Sequence, residues 1–368
     1  MRLSLALALV APALLAAQAA DWQVGLAATD ITPTEPLPMA GYAAREAPFE
    51  SVADPLFAKA LALQDSDGTR ALLITADLLG FTRERSEAIC ARLREATGIR
   101  REQVILNASH THAGPLVAGS LLTRAAPATR RTIDRYIQQM EAKIVAAGEQ
   151  ALRDLRPARL SWGRGVAGFV MNRREFTERG VILGTNASGL ADRTVPVLRV
   201  DTPDSELRAV LFGAGSHCTT LTGGNLQISG DYAGIAQGLL EASLPGVQAM
   251  FMTGCAGDAN PYPRGTLDLA RRHGSELARV VDAVLEDQLA PVRGPLRTEF
   301  RRVELPLQRH TREEIEAMQA GAPSYRRFFT EGALGRLDSG ESLLQTYKAP
   351  FALWQFGQDL TLVAYSGE

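Results

Sequence analysis

The sequence predicts an α/β protein, a layered α-β-α sandwich around a mixed sheet, with its site at the C-terminal ends of strands. Three observations predict it. Five β-rich apolar runs share one design, each leading to a Gly, Asp, His or Glu: residues 71–76 to Asp77, 103–108 to His110, 209–212 to His217, 247–252 to Gly254 and 360–364 to Glu368. Helical patterns lie between most of them, the alternation from which α/β sheets are built. The polar residues gather where the apolar runs stop, and such sheets assemble their sites there.

Residues 1–20 read as a secretory signal, with Arg2 as a short positive start, Leu3 to Leu15 as the apolar stretch and Ala17-Gln18-Ala19 as the cleavage site. The stretch is too short to span a bilayer and contains Pro12. The expectation is an exported protein, secreted or periplasmic, with residues 21–368 as the mature domain. Asp77 closes the first run and either orients an imidazole or caps the next helix. That helix, residues 83–96, carries Cys90 on its apolar side and is closed by Gly98. Residues 104–106 then deliver Asn107-Ala108-Ser109-His110-Thr111-His112-Ala113-Gly114-Pro115. In a strand, the spacing of two places His110 and His112 on one face.

Helices follow at 132–152, after the third run at 232–242, and at 267–285. His273, beside Arg271 and Arg272, reads as a surface residue, and His310 stands before a helix start capped by Thr311. Residues 118–130 and 320–346 are rich in Gly, Ala, Ser and Arg and read as surface loops or a lid. Three cysteines permit one bridge; Cys218 and Cys255 either pair or leave a free thiol near the site. The formal charge is −2 with no basic run, which argues against nucleic acid as a partner.

Four segments supply chemistry. His110 and His112 come first, and Gly215-Ser216-His217-Cys218 adds a third imidazole. The loop Gly254-Cys255-Ala256-Gly257-Asp258-Ala259-Asn260-Pro261 has glycines that admit close approach of a ligand, and Ser366-Gly367-Glu368 adds a carboxylate. Neutral imidazoles with a carboxylate are what a catalytic zinc takes when it keeps a position open for water. Asp258 in its Gly-flanked turn also fits a loop-shaping role, and Arg173 beside Arg174 and Glu175 fits a solvated surface pair.

These segments resemble, in order, those of the neutral (alkaline, non-lysosomal) ceramidases. The resemblance rests on Val24 to Pro33, Met39-Ala40-Gly41-Tyr42, His-Thr-His-x-Gly-Pro at 110–115, Asn172-Arg173, Gly215-Ser216-His217, Gly230-Asp231-Tyr232-Ala233, the Gly-Asp-x-x-Pro loop and the final Gly-Glu. It implies a Zn2+ ion held by His110, His217 and Glu368. It also implies that His112 sits beside the metal to serve proton transfer or to stabilise the tetrahedral intermediate, that Arg173 orients the substrate, and that Asp258 and Asn260 lie at the site. Asn260 stands where the family has a serine, so it offers a hydrogen-bond donor and no nucleophile. The family continues past the final Gly-Glu to a ligand tyrosine and an immunoglobulin-like domain, so residues 21–368 are expected to be a catalytic domain incomplete at its C-terminus. Phe169, Phe176, Phe328 and Phe329 are the candidates for an apolar substrate channel.

The resulting expectation is an exported zinc-dependent amidohydrolase, cleaving an N-acyl amide, a ceramide-like lipid or a smaller amide, with metal-activated water. The alternatives are an esterase on the same site and a catalytically degenerate ligand-binding domain. A lipid substrate would bring peripheral membrane contact, and nothing in the sequence calls for an obligate protein partner.

Overall fold

The computed structural model describes residues 21–45, 47–117, 122, 125–178, 180–322 and 324–367. Residues 1–20, where the secretory signal is expected, and Glu368 lie outside the described residues, as does most of 118–124. The strands are β1 (Trp22–Asp30), β2 (Ser51–Val52), β3 (Phe57–Asp65), β4 (Arg70–Ala76), β5 (Val104–Ala108), β6 (Arg156–Val166), β7 (Val170–Thr177), β8 (Gly180–Asn186) and β9 (Thr194–Asp201). They continue with β10 (Leu207–Ala214), β11 (Gln227–Ile228), β12 (Gln248–Thr253), β13 (Ala259–Pro261), β14 (Ala290–Val292), β15 (Leu296–Pro306), β16 (Thr346–Phe356) and β17 (Leu360–Tyr365). The helices are α1 (Arg83–Thr97), α2 (Pro127–Arg153), α3 (Asp231–Ser243), α4 (Leu267–Leu285), α5 (Arg312–Ala320) and α6 (Ser324–Asp338).

Nine strands form one mixed sheet in the order β12-β10-β9-β6-β1-β3-β4-β5, with β14 joined to β6. Two pairs are parallel, β4 with β5 and β10 with β12, and each is joined through a crossover helix, α1 and α3. Helices cover the outside of this sheet. One core joins Leu72 and Ile74 of β4 to Leu93 of α1 and Ile144 of α2, and a second joins Phe212 and Phe251 to Leu240 of α3 and Leu277 of α4. On the opposite face Leu61, Leu73, Ile105, Leu211 and Met250, from both halves of the sheet, share one further core with Trp354 and Phe356.

Strands from both halves share that core because the sheet curls until its two ends meet. Asn107 at the end of β5 is the staple: its Nδ2 donates to the Thr253 carbonyl at 3.2 Å and its Oδ1 accepts from the Thr253 amide at 3.0 Å. Buried Lys59 of β3 crosses to the Ala249 carbonyl of β12 at 2.8 Å and pairs with Glu241 of α3. The C-terminal ends of β5, β10 and β12 are thereby gathered at one place.

Several expectations are corrected. The run at 360–364 is a strand, but it belongs to a separate sheet, β15-β16-β17. The stretch 320–346 contains α6, and α2 begins at Pro127, inside the stretch read as loop. His273 is buried at 2 % exposure, its Nε2 held by the Pro263 carbonyl at 2.6 Å, because it shares the apolar stripe of α4 with Ala270 and Leu277. All three cysteines are free, Cys90 and Cys218 buried and Cys255 exposed. Gly98 closes α1 at φ 72°, and Thr311 caps α5 in a capping box with Glu314, as the sequence predicts. Among the described residues no helix is long and apolar enough to cross a membrane.

Candidate metal centre

The strand geometry expected for His110 and His112 is not what brings them together. β5 ends at Ala108, and His110 takes a left-handed backbone at φ 60°, an unusual conformation for a residue with a side chain and one that clusters at functional sites. Thr111 then bridges to Cys218, and the His112 amide donates to the Cys218 carbonyl at 3.1 Å. Thr111 Oγ1 donates to the Ser229 carbonyl at 2.8 Å and accepts from the Ala113 amide, which fixes the turn between the two histidines. His217 arrives from β10, its amide held by the Ala259 carbonyl at 3.1 Å.

The three rings converge. Their centroids lie 5.0 Å apart for His110 and His112, 4.7 Å for His110 and His217, and 5.7 Å for His112 and His217. One ring nitrogen from each lies within 4.8 Å of the others, close enough for one cation to be shared. Second contacts set the tautomers. His110 Nδ1 lies 2.6 Å from the Leu79 carbonyl, and His217 Nδ1 lies 2.7 Å from the Ala256 carbonyl. A carbonyl only accepts, so Nδ1 carries the hydrogen in both rings and Nε2 presents its lone pair, the arrangement a metal-binding imidazole needs. The donor set fits a divalent cation of the zinc type.

His112 is held by a wall of Gly41, Tyr42 and Arg45; the first two carry the resemblance with no role attached, and Arg45 carries no signal in the sequence. Gly41 at φ 95° lies flat against the ring, and a Cβ there would fall 2.5 Å from His112 Nδ1. Tyr42 meets the ring edge-on at 5.1 Å and donates from its hydroxyl to the Leu221 carbonyl at 3.0 Å. Buried Arg45 stacks over Tyr42 and donates to the carbonyls of Ala40, His112 and Asn225. Burial pushes Arg45 down to about 10, so it remains cationic at neutral pH. Burial likewise pushes the Tyr42 hydroxyl up.

Beyond the histidines, Arg173 of β7 is buried, which overturns the solvated-pair reading; Arg174 is the exposed one. Arg173 Nε donates to the Gly257 carbonyl at 3.0 Å, and one terminal nitrogen reaches Asn260 Oδ1 at 3.4 Å. Asn260 is buried on β13, where its Oδ1 also accepts from Thr219 Oγ1 at 3.0 Å. The Asp258 side chain is exposed, and it is the residue's backbone carbonyl that accepts from the Arg173 amide, at 2.7 Å.

Asp77 neither caps α1 nor holds His110 Nδ1, since Thr82 caps that helix and Leu79 takes that nitrogen. Its carboxylate accepts from the Phe57 amide at 3.0 Å and from Gln237 of α3, and burial raises its pKa. Asp231, at φ 54° and fully buried, accepts from the Leu221 and Tyr232 amides and so shapes the segment after His217; burial raises its pKa too. Gly230-Asp231-Tyr232-Ala233 carries the resemblance, but nothing in its sequence signals that role.

Glu368 lies outside the described residues, but the end of β17 reaches the site loop, with the Tyr365 hydroxyl 3.0 Å from Cys255 Sγ. Of the aromatic candidates, Phe169 is a core residue against Tyr232 and His273, whereas Phe176 and Phe329 are exposed. The Phe328 side chain lies outside those described.

Comparison with known proteins gives one consistent result. A family profile described as neutral/alkaline non-lysosomal ceramidase, N-terminal, matches residues 22–272. Neutral ceramidase A of Dictyostelium discoideum is 26% identical over 268 residues, which cover 67% of this chain and 36% of that protein. The crystal structure of neutral ceramidase from Pseudomonas aeruginosa superposes with a TM-score of 0.70 at 21% identity, covering 93% of this chain and 62% of that one. A structure described as ceramidase complexed with C2 gives a TM-score of 0.70 at 20% identity, covering 93% and 63%. The chain thus spans about a third of the curated relative and just under two thirds of the solved structures.

Proposed function

This chain belongs to the neutral/alkaline non-lysosomal ceramidase family, and on that premise we propose that it is an exported, zinc-dependent amidohydrolase acting on an N-acyl amide, either a ceramide-like lipid or a smaller amide. The observation that carries the reading is the convergence of three imidazoles from two strand ends, two of them with Nδ1 committed to carbonyls. His110 and His217 would hold the ion, joined by Glu368 from beyond the described residues. When bound, zinc would polarise the acyl carbonyl and bring the pKa of a water toward about 7.

The chain's own residues supply the rest. His112, fixed between Gly41 and Tyr42, is placed to deliver a proton to the leaving amine. Arg173 and Asn260 form a hydrogen-bonded pair beside the His217 segment and orient the acyl group. Asp258 acts through its carbonyl, which anchors the Arg173 backbone. The reaction needs no hydroxyl nucleophile at position 260 because water is the attacking group. An amphiphilic substrate would bring the protein to a membrane surface, and residues 1–20 would direct export.

Metal content by mass spectrometry, measured beside hydrolysis of octanoyl 4-nitroanilide and 4-nitrophenyl octanoate, tests the reading. About one zinc per chain is expected, lost in His110→Ala and His217→Ala. His112→Ala should keep its zinc and lose turnover by about 100-fold or more. Ester cleavage without amide cleavage would reassign the bond, and full activity in all three variants would end the metal reading.

A further inference from the structure

Three consecutive residues after β10 tie its end to β13 and to the His112 turn. The His217 amide binds the Ala259 carbonyl, the Cys218 carbonyl accepts from the His112 amide, and Thr219 Oγ1 reaches Asn260 Oδ1 at 3.0 Å. Thr219 is 3 % exposed and Asn260 7 %. The third tie concerns a carboxamide, whose two ends have opposite hydrogen-bonding character.

Which end faces which neighbour follows from donor chemistry. A guanidinium only donates, so the Asn260 atom facing Arg173 at 3.4 Å must be the oxygen. Thr219, facing that same oxygen, must then spend its hydroxyl hydrogen on it. Two donors fill both lone pairs of Oδ1, and the NH2 group is turned to the other side of the amide. The Arg173 contact is long, so the Thr219 hydroxyl is the stronger of the two restraints.

We propose that Thr219 is a positioning residue that locks the Asn260 carboxamide so that its NH2, and not its oxygen, is offered to the acyl oxygen of a bound substrate. The site would then select ligands that present a carbonyl acceptor, and donate to that oxygen as negative charge builds on it. The inference rests on the amidohydrolase reading for its substrate class, but the orientation of Asn260 stands independently of turnover.

Thr219→Val removes the hydroxyl at constant shape, and Thr219→Ser keeps it. With octanoyl 4-nitroanilide, Thr219→Val is expected to lower kcat about tenfold with KM changed less than about threefold, and Thr219→Ser to restore kcat. Equal loss in both variants, or no loss in Thr219→Val, overturns the proposal. If the valine variant does not fold, as judged by circular dichroism, Thr219→Ala is compared with Thr219→Ser in the same way. Should the wild type hydrolyse neither substrate, the amidohydrolase reading fails and calorimetric binding of octanamide decides the positioning role. Affinity weakened by removal of the hydroxyl and retained in Thr219→Ser supports the proposal, and affinity indifferent to it overturns it.

Discussion

At Gly41 two demands fall on one residue. Its φ of 95° disfavours any side chain, and a Cβ would enter the His112 ring at 2.5 Å. Gly41→Ala is therefore expected to displace His112 while His110 and His217, which stand on other contacts, keep their places. Turnover should fall about 100-fold with metal content unchanged, since a misplacement of about 1 Å costs that much. Assay beside metal analysis checks this, and loss of metal along with turnover would mean that the wall supports the whole cluster. The histidines were legible because a rare residue type stands at the ends of apolar runs. Gly41, Tyr42 and Arg45 were not, because their meaning lies in contacts with a turn far along the chain. Arg173 was selected only by resemblance, and its burial is what separates it from Arg174. His273 was misread from its charged neighbours, although its spacing from Ala270 and Leu277 puts it on the stripe that faces the core.

Among the elements, those with strong periodicity and explicit stops were legible: α1 with Gly98, α4 over its whole length, and the strands leading to Asp77, His110 and His217. α6 was not, since Gly332 and Gly335 are poor helix formers and its apolar stripe is weak. The strand at 360–364 was legible as a strand, but its partner was not, because alternation reports faces and not neighbours. Asn107 illustrates the same limit, as a polar residue in an apolar run that closes the two ends of the sheet on each other. Asn107→Ala removes both bonds to Thr253 and leaves those backbone groups to find other partners. A loss of about 1–3 kcal/mol is expected from urea unfolding. The loss should be accompanied by weaker metal binding, because His110 follows closely on the staple. An unchanged unfolding midpoint would show that the Lys59 and Gln248 crossings hold the ends without it.

For the whole molecule, the α/β class with outer helices followed from the alternation of patterns, whereas the curl of the sheet did not. The curl has a thermodynamic consequence, because His110 follows the strand at one end of the order and His217 follows β10, next to the other end, and the two meet only when the sheet closes. The unfolded chain has no such cluster, so a cation held there binds the folded state alone and must stabilise it. Zinc at about a thousand times its dissociation constant should add about 4 kcal/mol, seen as a rise in Tm that a chelator reverses. His217→Ala should remove most of that rise, since it takes away the only imidazole that comes from the β10 side of the cluster. An equal rise in the variant would mean that zinc binds elsewhere on the surface, and the closure of the sheet would then owe nothing to the metal.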